Sequence, residues 1–174
     1  DLGVTPLWLA SENGNLSAID MLLEAGADPR IQLLSGETAI MTAAQAGNGD
    51  VVRSLLKAGG DPDVSVTREQ TALMWAAARG NTDVVAALLE FGADVDALSL
   101  VREQYVKSEK EQDSHPNYKY WIEQGGNSAL MFAARSGDLG STQLLVEAGS
   151  DVNQVSAFGT SPAIMAVHSG NPHV

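Results

Sequence analysis

Cysteine is absent from the 174 residues. That excludes a disulfide frame, a thiolate nucleophile and a Cys-ligated zinc, and it fits a reducing compartment and a secreted cysteine-free chain equally. Long apolar runs are missing too; none approaches the ~18 residues a membrane-spanning helix needs, so no membrane insertion is expected. No signal-peptide pattern is visible, although a chain opening at Asp1, within a repeat boundary, leaves an upstream one open. Positive charge is scarce: 10 Lys and Arg stand against 22 Asp and Glu, for a formal net charge of −12. Phosphate contacts need clustered Lys and Arg, so nucleic acid is not an expected partner.

Catalytic constellations are missing as well. Gly159-Thr160-Ser161-Pro162-Ala163 comes within one residue of a nucleophile elbow. It fails because proline after Ser161 has no backbone donor for an oxyanion hole and no strand leads into it. Gly47-Asn48-Gly49 begins like a dinucleotide fingerprint but has Val52 at the third glycine and lies between two helices. The Asp61-Pro62-Asp63 and Asp94-Val95-Asp96 runs lack the glycine and distal glutamate of a calcium loop and read as turn-forming aspartates. His115, His168 and His173 occupy unrelated positions and make no metal motif. The chain reads as non-catalytic, with no cofactor and no metal.

What is present is a period. Residues 71–96, TALMWAAARGNTDVVAALLEFGADVD, read as two short amphipathic helices joined by Arg79-Gly80-Asn81 and closed by Gly92. Thr71 is placed to cap the first helix with its hydroxyl. Leu73, Ala76 and Ala77 form one face of it; Val84, Val85, Leu88 and Leu89 form the apolar stripe of the second. Such a hairpin cannot bury its stripe alone. Thr5 and Thr38 precede Thr71 at steps of 33; Ser128 follows 57 residues on, one period and 24 more, and Ser161 comes 33 later. Gly14, Gly47, Gly80, Gly137 and Gly170 each stand nine residues after these hydroxyls. The apolar pair recurs as Leu22-Leu23, Leu55-Leu56, Leu88-Leu89 and Leu145-Val146, and the closing glycine as Gly26, Gly59, Gly92 and Gly149. A turn and two helices at this spacing predict a stacked solenoid.

The pieces GVTPLWLA, GETAIMTAA, QTALMWAAARGN, NSALMFAARSGD and GTSPAIMAV, with AGADP, AGGDP, FGADV and AGSDV closing the second helices, resemble the ankyrin repeats. The resemblance implies an all-α solenoid of stacked helix-turn-helix units with hairpin fingers. The units fall at about 3–35, 36–68, 69–100 and 126–158, with a partial one at 159–174 and a long insertion at 101–124. The histidine of the family's T-P-L-H signature is replaced by Trp8, Met41, Met74, Met131 and Ile164, so an apolar contact between units is expected in place of its polar tie. These signatures look more like those of bacterial members, for which a periplasmic or extracellular setting is plausible and the cytoplasm stays open.

Along the chain, Pro6 follows Thr5 at a first helical position, where its missing donor does no harm. Trp8 and Leu9 have no hydrophilic cap before them, so a repeat or capping element is expected upstream of Asp1. Leu33 and Leu34, on the first finger, either pack on the neighbouring finger or belong to a contact surface. The insertion, VREQYVKSEKEQDSHPNYKYWIEQ, is expected to begin as a short helix carrying Leu100, Val101 and Tyr105 on one side and to return as an extended piece over 118–122. It holds all three tyrosines, and reads either as a loop pinned by its aromatics or as a recognition loop, since Tyr and Trp are favoured contact residues. In the fourth unit, Ser141 and Thr142 replace the branched apolar pair, a weakness in the pattern. The fifth unit stops after one helix, which suggests a piece of something longer.

Seven of the ten basic residues, Arg68, Arg79, Arg135, Arg102, Lys107, Lys110 and Lys119, fall on fingers, groove or insertion, while Asp20, Glu24, Asp83, Glu90 and Glu147 fall on second helices. Either the arginines pair with nearby glutamates, or the groove accepts an acidic or carbonyl-rich partner. The resemblance implies a protein-binding scaffold, with Arg68, Arg79, Arg135, Phe158, Tyr105, Tyr118, Tyr120 and Trp121 as the candidate contact residues. A regulatory or targeting arm of an enzyme, and a structural subunit of a larger assembly, are the alternatives.

Overall fold

The computed structural model describes residues 3–65, 70–107 and 119–174. The repeating hydroxyl residues start the inner helices: α1 (Pro6–Glu12), α3 (Ala39–Ala46), α5 (Ala72–Arg79), α7 (Ala129–Ser136) and α9 (Pro162–His168). Thr5, Thr38, Thr71 and Ser161 each accept, at 3.1–3.4 Å, the backbone N–H three residues on. Each hydroxyl thus satisfies one orphan donor of its helix. Ser128 departs from this expectation: its hydroxyl is buried without a partner, and Met131 N–H donates to the Ser128 carbonyl at 3.1 Å.

The outer helices are α2 (Leu16–Glu24), α4 (Gly49–Lys57), α6 (Thr82–Glu90) and α8 (Leu139–Glu147). Inner helices stack on one another from α1 to α9, and outer helices from α2 to α8. Leu7, Ile40, Leu73 and Leu130 form one buried column between inner helices; Leu55, Leu88 and Leu145 form another between outer ones. Removing such a side chain from water stabilises by roughly 1.5–3 kcal/mol. Ala43, Ala44, Ala76, Ala77, Ala133 and Ala134 are buried along the same faces, and their short side chains let neighbouring backbones approach closely. Met41, Met74 and Met131 are buried, so the apolar substitution for the signature histidine holds in the three central units. Trp8 is half-buried and Ile164 is 46% exposed. Val146 also differs from its expected place in the stripe. It is 45% exposed, because among the described residues no outer helix covers that side of α8.

The inter-helix turns are tied to the following unit by a column of amide and carboxylate side chains. Asn81 Nδ2 donates to the Ala44 carbonyl at 2.8 Å, and Asn171 Nδ2 to the Arg135 carbonyl at 3.0 Å. The turn residue beneath each must be small and left-handed: Gly137 has φ +78°, and a Cβ there would sit 2.6 Å from the Asn171 side chain. Asp138 occupies this column in the fourth unit and cannot donate when ionised. It accepts instead from the Thr82 hydroxyl at 2.9 Å and from the Ser141 hydroxyl, while Ser136 donates to the Ala77 carbonyl at 3.0 Å. Ser141 is fully buried and Thr142 donates to the Asp138 carbonyl at 2.8 Å. The polar pair is a satisfied network, so the expected weakness of this unit is absent at these residues.

The turn aspartates do what their sequence suggests. Asp28, Asp61, Asp94 and Asp151 each accept the backbone N–H two residues on, and Asp63 and Asp96 accept backbone N–H groups of the next unit, from Asp94 at 2.8 Å and Asp151 at 3.0 Å. Ordinary fingers close through single bridges, Gln32 to Thr38 and Ser65 to Thr71. On the first finger Leu33 is half-buried and Leu34 is 80% exposed, so Leu34 does not pack on its neighbour.

The third finger is different. Strands β1 (Arg102–Lys107) and β2 (Lys119–Gln124) pair antiparallel, Arg102 opposite Gln124 and Tyr105 opposite Trp121. The expected helix after Val101 is therefore a strand; only the returning extended piece matches the reading of the insertion. A helix this short is marginal in water, whereas REQYVK and KYWIEQ supply each other with ladder partners and carry Tyr, Val, Trp and Ile, which favour pleated backbone. Beneath the hairpin the finger is sealed: Ser99 N–H donates to the Asn127 carbonyl at 3.0 Å, Gly126 N–H to the Ser99 carbonyl at 2.9 Å, and Asn127 N–H to the Ser99 hydroxyl at 3.1 Å.

Candidate partner-binding groove

Repeat phase lines up the residues that face the groove. One column runs Leu9, Thr42, Trp75, Phe132 and Met165; beside it run Glu12, Gln45, Ala78, Arg135 and His168, then Asn13, Ala46, Arg79, Ser136 and Ser169. Two open clefts use these columns. The first, about 390 Å³, is bounded by Trp8, Glu12, Glu37, Gln45 and Arg79 among others. The second, about 610 Å³, lies between α7 and the root of the inserted hairpin, with Arg102, Glu103, Phe132 and Arg135 on its walls.

Arg79 and Arg135 are both exposed, and neither forms an ion pair with any described residue. Two other arginines do pair with acids. Arg30 reaches Asp28 at 3.4 Å on a finger, and Arg53 reaches Asp50 at 3.5 Å and Glu90 at 3.3 Å on outer helices. Of the two clefts, Arg79 lines the first and Arg135 the second. Among the described residues, Arg79 shares its cleft with Glu12 and Glu37, whereas Arg135 shares its own with Arg102 and Glu103. The two acids of the first cleft therefore lie, among the described residues, beside Arg79 and not beside Arg135. Arg135 is also held in place: its guanidinium carbon lies 5.1 Å from the centroid of the Phe132 ring, within reach of a cation–π attraction.

Among the other candidates, Phe158 is 67% exposed on the fourth finger and borders neither cleft. Tyr105 is in β1, while Tyr120 and Trp121 are in β2. Arg68 and Tyr118 lie outside the described residues. Several groove residues were not among the sequence candidates: Trp75, half-buried at the centre of its column, Phe132, and the carboxamides Gln70, Gln104, Gln124 and Asn127 around the second cleft. Stepping the period through Leu9 would have exposed Trp75 and Phe132 as groove residues. The carboxamides had no such signal, because three of them acquire their position from the hairpin or its sealed root.

Among the described residues no helix is long and apolar enough to cross a membrane. A family model described as ankyrin repeats in three copies matches residues 7–99, and one described as an ankyrin repeat matches residues 125–157. No curated protein matches the chain.

Proposed function

The chain belongs to the ankyrin repeat family, whose repeats generally act as protein-interaction modules, and on that premise we propose that it is a non-catalytic scaffold holding a partner protein in its groove. The observation that carries this reading is the pair Arg79 and Arg135, exposed on the groove side and without an acidic partner among the described residues, in a chain of net charge −12. An isolated guanidinium fork is a directional donor set for carboxylates and carbonyls. We take the partner's acidic contact segment to lie beside the fourth unit, because there the exposed Arg135 is oriented by the Phe132 ring.

The test compares capture of the native partner from source-cell extract by the wild-type chain and by Arg79→Glu and Arg135→Glu, singly and together, with cross-linking to locate the contact. The reading expects loss of the partner on charge reversal at Arg135, a smaller loss at Arg79, and an unchanged melting temperature. A partner retained by the double variant, cross-linked only to outer helices, would overturn it.

A further inference from the structure

The second cleft exists only because a hairpin grows from the third finger, and its lining has a character of its own. Gln70, Gln104, Gln124 and Asn127 all border it, and none of their side chains hydrogen-bonds to a described residue. Each carboxamide presents an acceptor and a donor side by side. The backbone of an extended peptide offers the complementary alternation of N–H and C=O. A lining this polar, open to solvent, suits neither an apolar small molecule nor a dry hydrophobic anchor, whose pockets are mostly apolar. The wall also includes the first residues of β1, and β1 and β2 form a two-stranded sheet with no third strand among the described residues. An open strand edge is a template for an added strand. Arg135 borders this cleft with no ion-pair partner among the described residues, and its guanidinium is oriented by Phe132.

We infer that this cleft takes an extended, acidic linear segment of the partner, its main chain read by the four carboxamides and one of its carboxylates seated on Arg135. The inference rests on the protein-binding reading above and narrows it from a folded surface to a linear segment.

Random linear peptides displayed on phage and selected on the intact wild-type chain provide the probe. The selected peptides are expected to share an Asp or Glu. A synthetic copy of the most enriched one, measured by fluorescence anisotropy, should lose about tenfold or more in affinity on Arg135→Glu and on the double variant Gln104→Ala/Gln124→Ala. It should bind Arg53→Glu, on the outer face, as it binds wild type. A copy N-methylated on its backbone should bind weakly to every form, because it cannot donate to the carboxamides. Melting curves of each variant confirm that the stack stays folded. Selection of no linear peptide, or of peptides indifferent to the Arg135 and glutamine variants, overturns the inference. So does undiminished binding of the N-methylated copy. Peptides that respond to Arg79→Glu instead, or a native partner lost on Arg135→Glu in the absence of any linear binder, would leave the protein-binding scaffold standing while removing the linear segment from this cleft.

Discussion

Asp138 stands in the column that every other unit fills with asparagine, at Asn15, Asn48, Asn81 and Asn171. One changed atom type reroutes a set of hydrogen bonds: Thr82 and the buried Ser141 donate to its carboxylate, and Ser136 supplies the donor the carboxylate lacks. Asp138→Ala would strand the Ser141 hydroxyl in the core, at a cost of about 1–3 kcal/mol, read as a lowered urea midpoint. Leu88 is fully buried between outer helices, and Leu88→Ala should cost about 2–5 kcal/mol through the cavity it leaves. Two residues on, Glu90 is exposed and its carboxylate pairs with Arg53 at 3.3 Å, so Glu90→Ala should shift stability by no more than about 1 kcal/mol. Equal losses at Leu88 and Glu90 would mean the outer helices are misphased. At this scale the sequence was a good guide wherever the period repeats. Leu88, Met74 and Gly80 could each be placed by counting. Ser141 was misjudged because two polar residues in a stripe look like a defect until the carboxylate from a neighbouring turn is seen to satisfy them.

Among elements, the inserted hairpin is the one the period could not describe. Residues 102–107 have no counterpart in other units, and a six-residue stretch carries too little periodicity to separate a helix from a strand. Only pairing with residues 119–124, across an intervening segment, decides for the strand, and that partnership is not a local property. The sealed root was legible, because an insertion between finger positions must begin and end close together. The hydrogen bonds joining Ser99 to Gly126 and Asn127 show how that closure is made. Replacing residues 101–124 with a short Gly/Ser link should therefore leave helix content and cooperative unfolding intact, since closure entropy changes slowly with loop length. The same deletion should abolish partner capture, and Trp121→Ala alone should remove a large part of it. A collapse of the melting transition on deletion would instead make the hairpin a clamp across the third and fourth units.

For the whole molecule, stability is shared between neighbours rather than concentrated at one centre. Helices α3 to α6 carry most of the fully buried side chains, whereas α2 buries only Ile19 and leaves Met21 64% exposed. Native-state hydrogen exchange should be slowest in α5 and α6 and much faster in α2, since local opening follows local burial. Equal protection in α2 and α6 would argue for a single all-or-none unit. If the exposed Arg79 and Arg135 seat a partner's acids as proposed, its affinity should fall as ionic strength rises, because exposed charges lose their attraction beyond a screening length of about 8 Å in physiological salt. The surroundings of these arginines were only partly readable beforehand. Repeat phase put Arg79 and Arg135 on the groove, but it could not show that Glu12 and Glu37 share a cleft with the first and not the second. The column of turn contacts carries one more implication, for how such a chain could be rewritten. Asp138 finds a hydroxyl at Thr82, but the matching places in the first two units hold Leu16 and Gly49. Moved behind either of them, the fourth unit would meet a neighbour that cannot answer its carboxylate. The junctions therefore work like addresses: the fourth block fits one predecessor, and the order of the blocks is itself encoded.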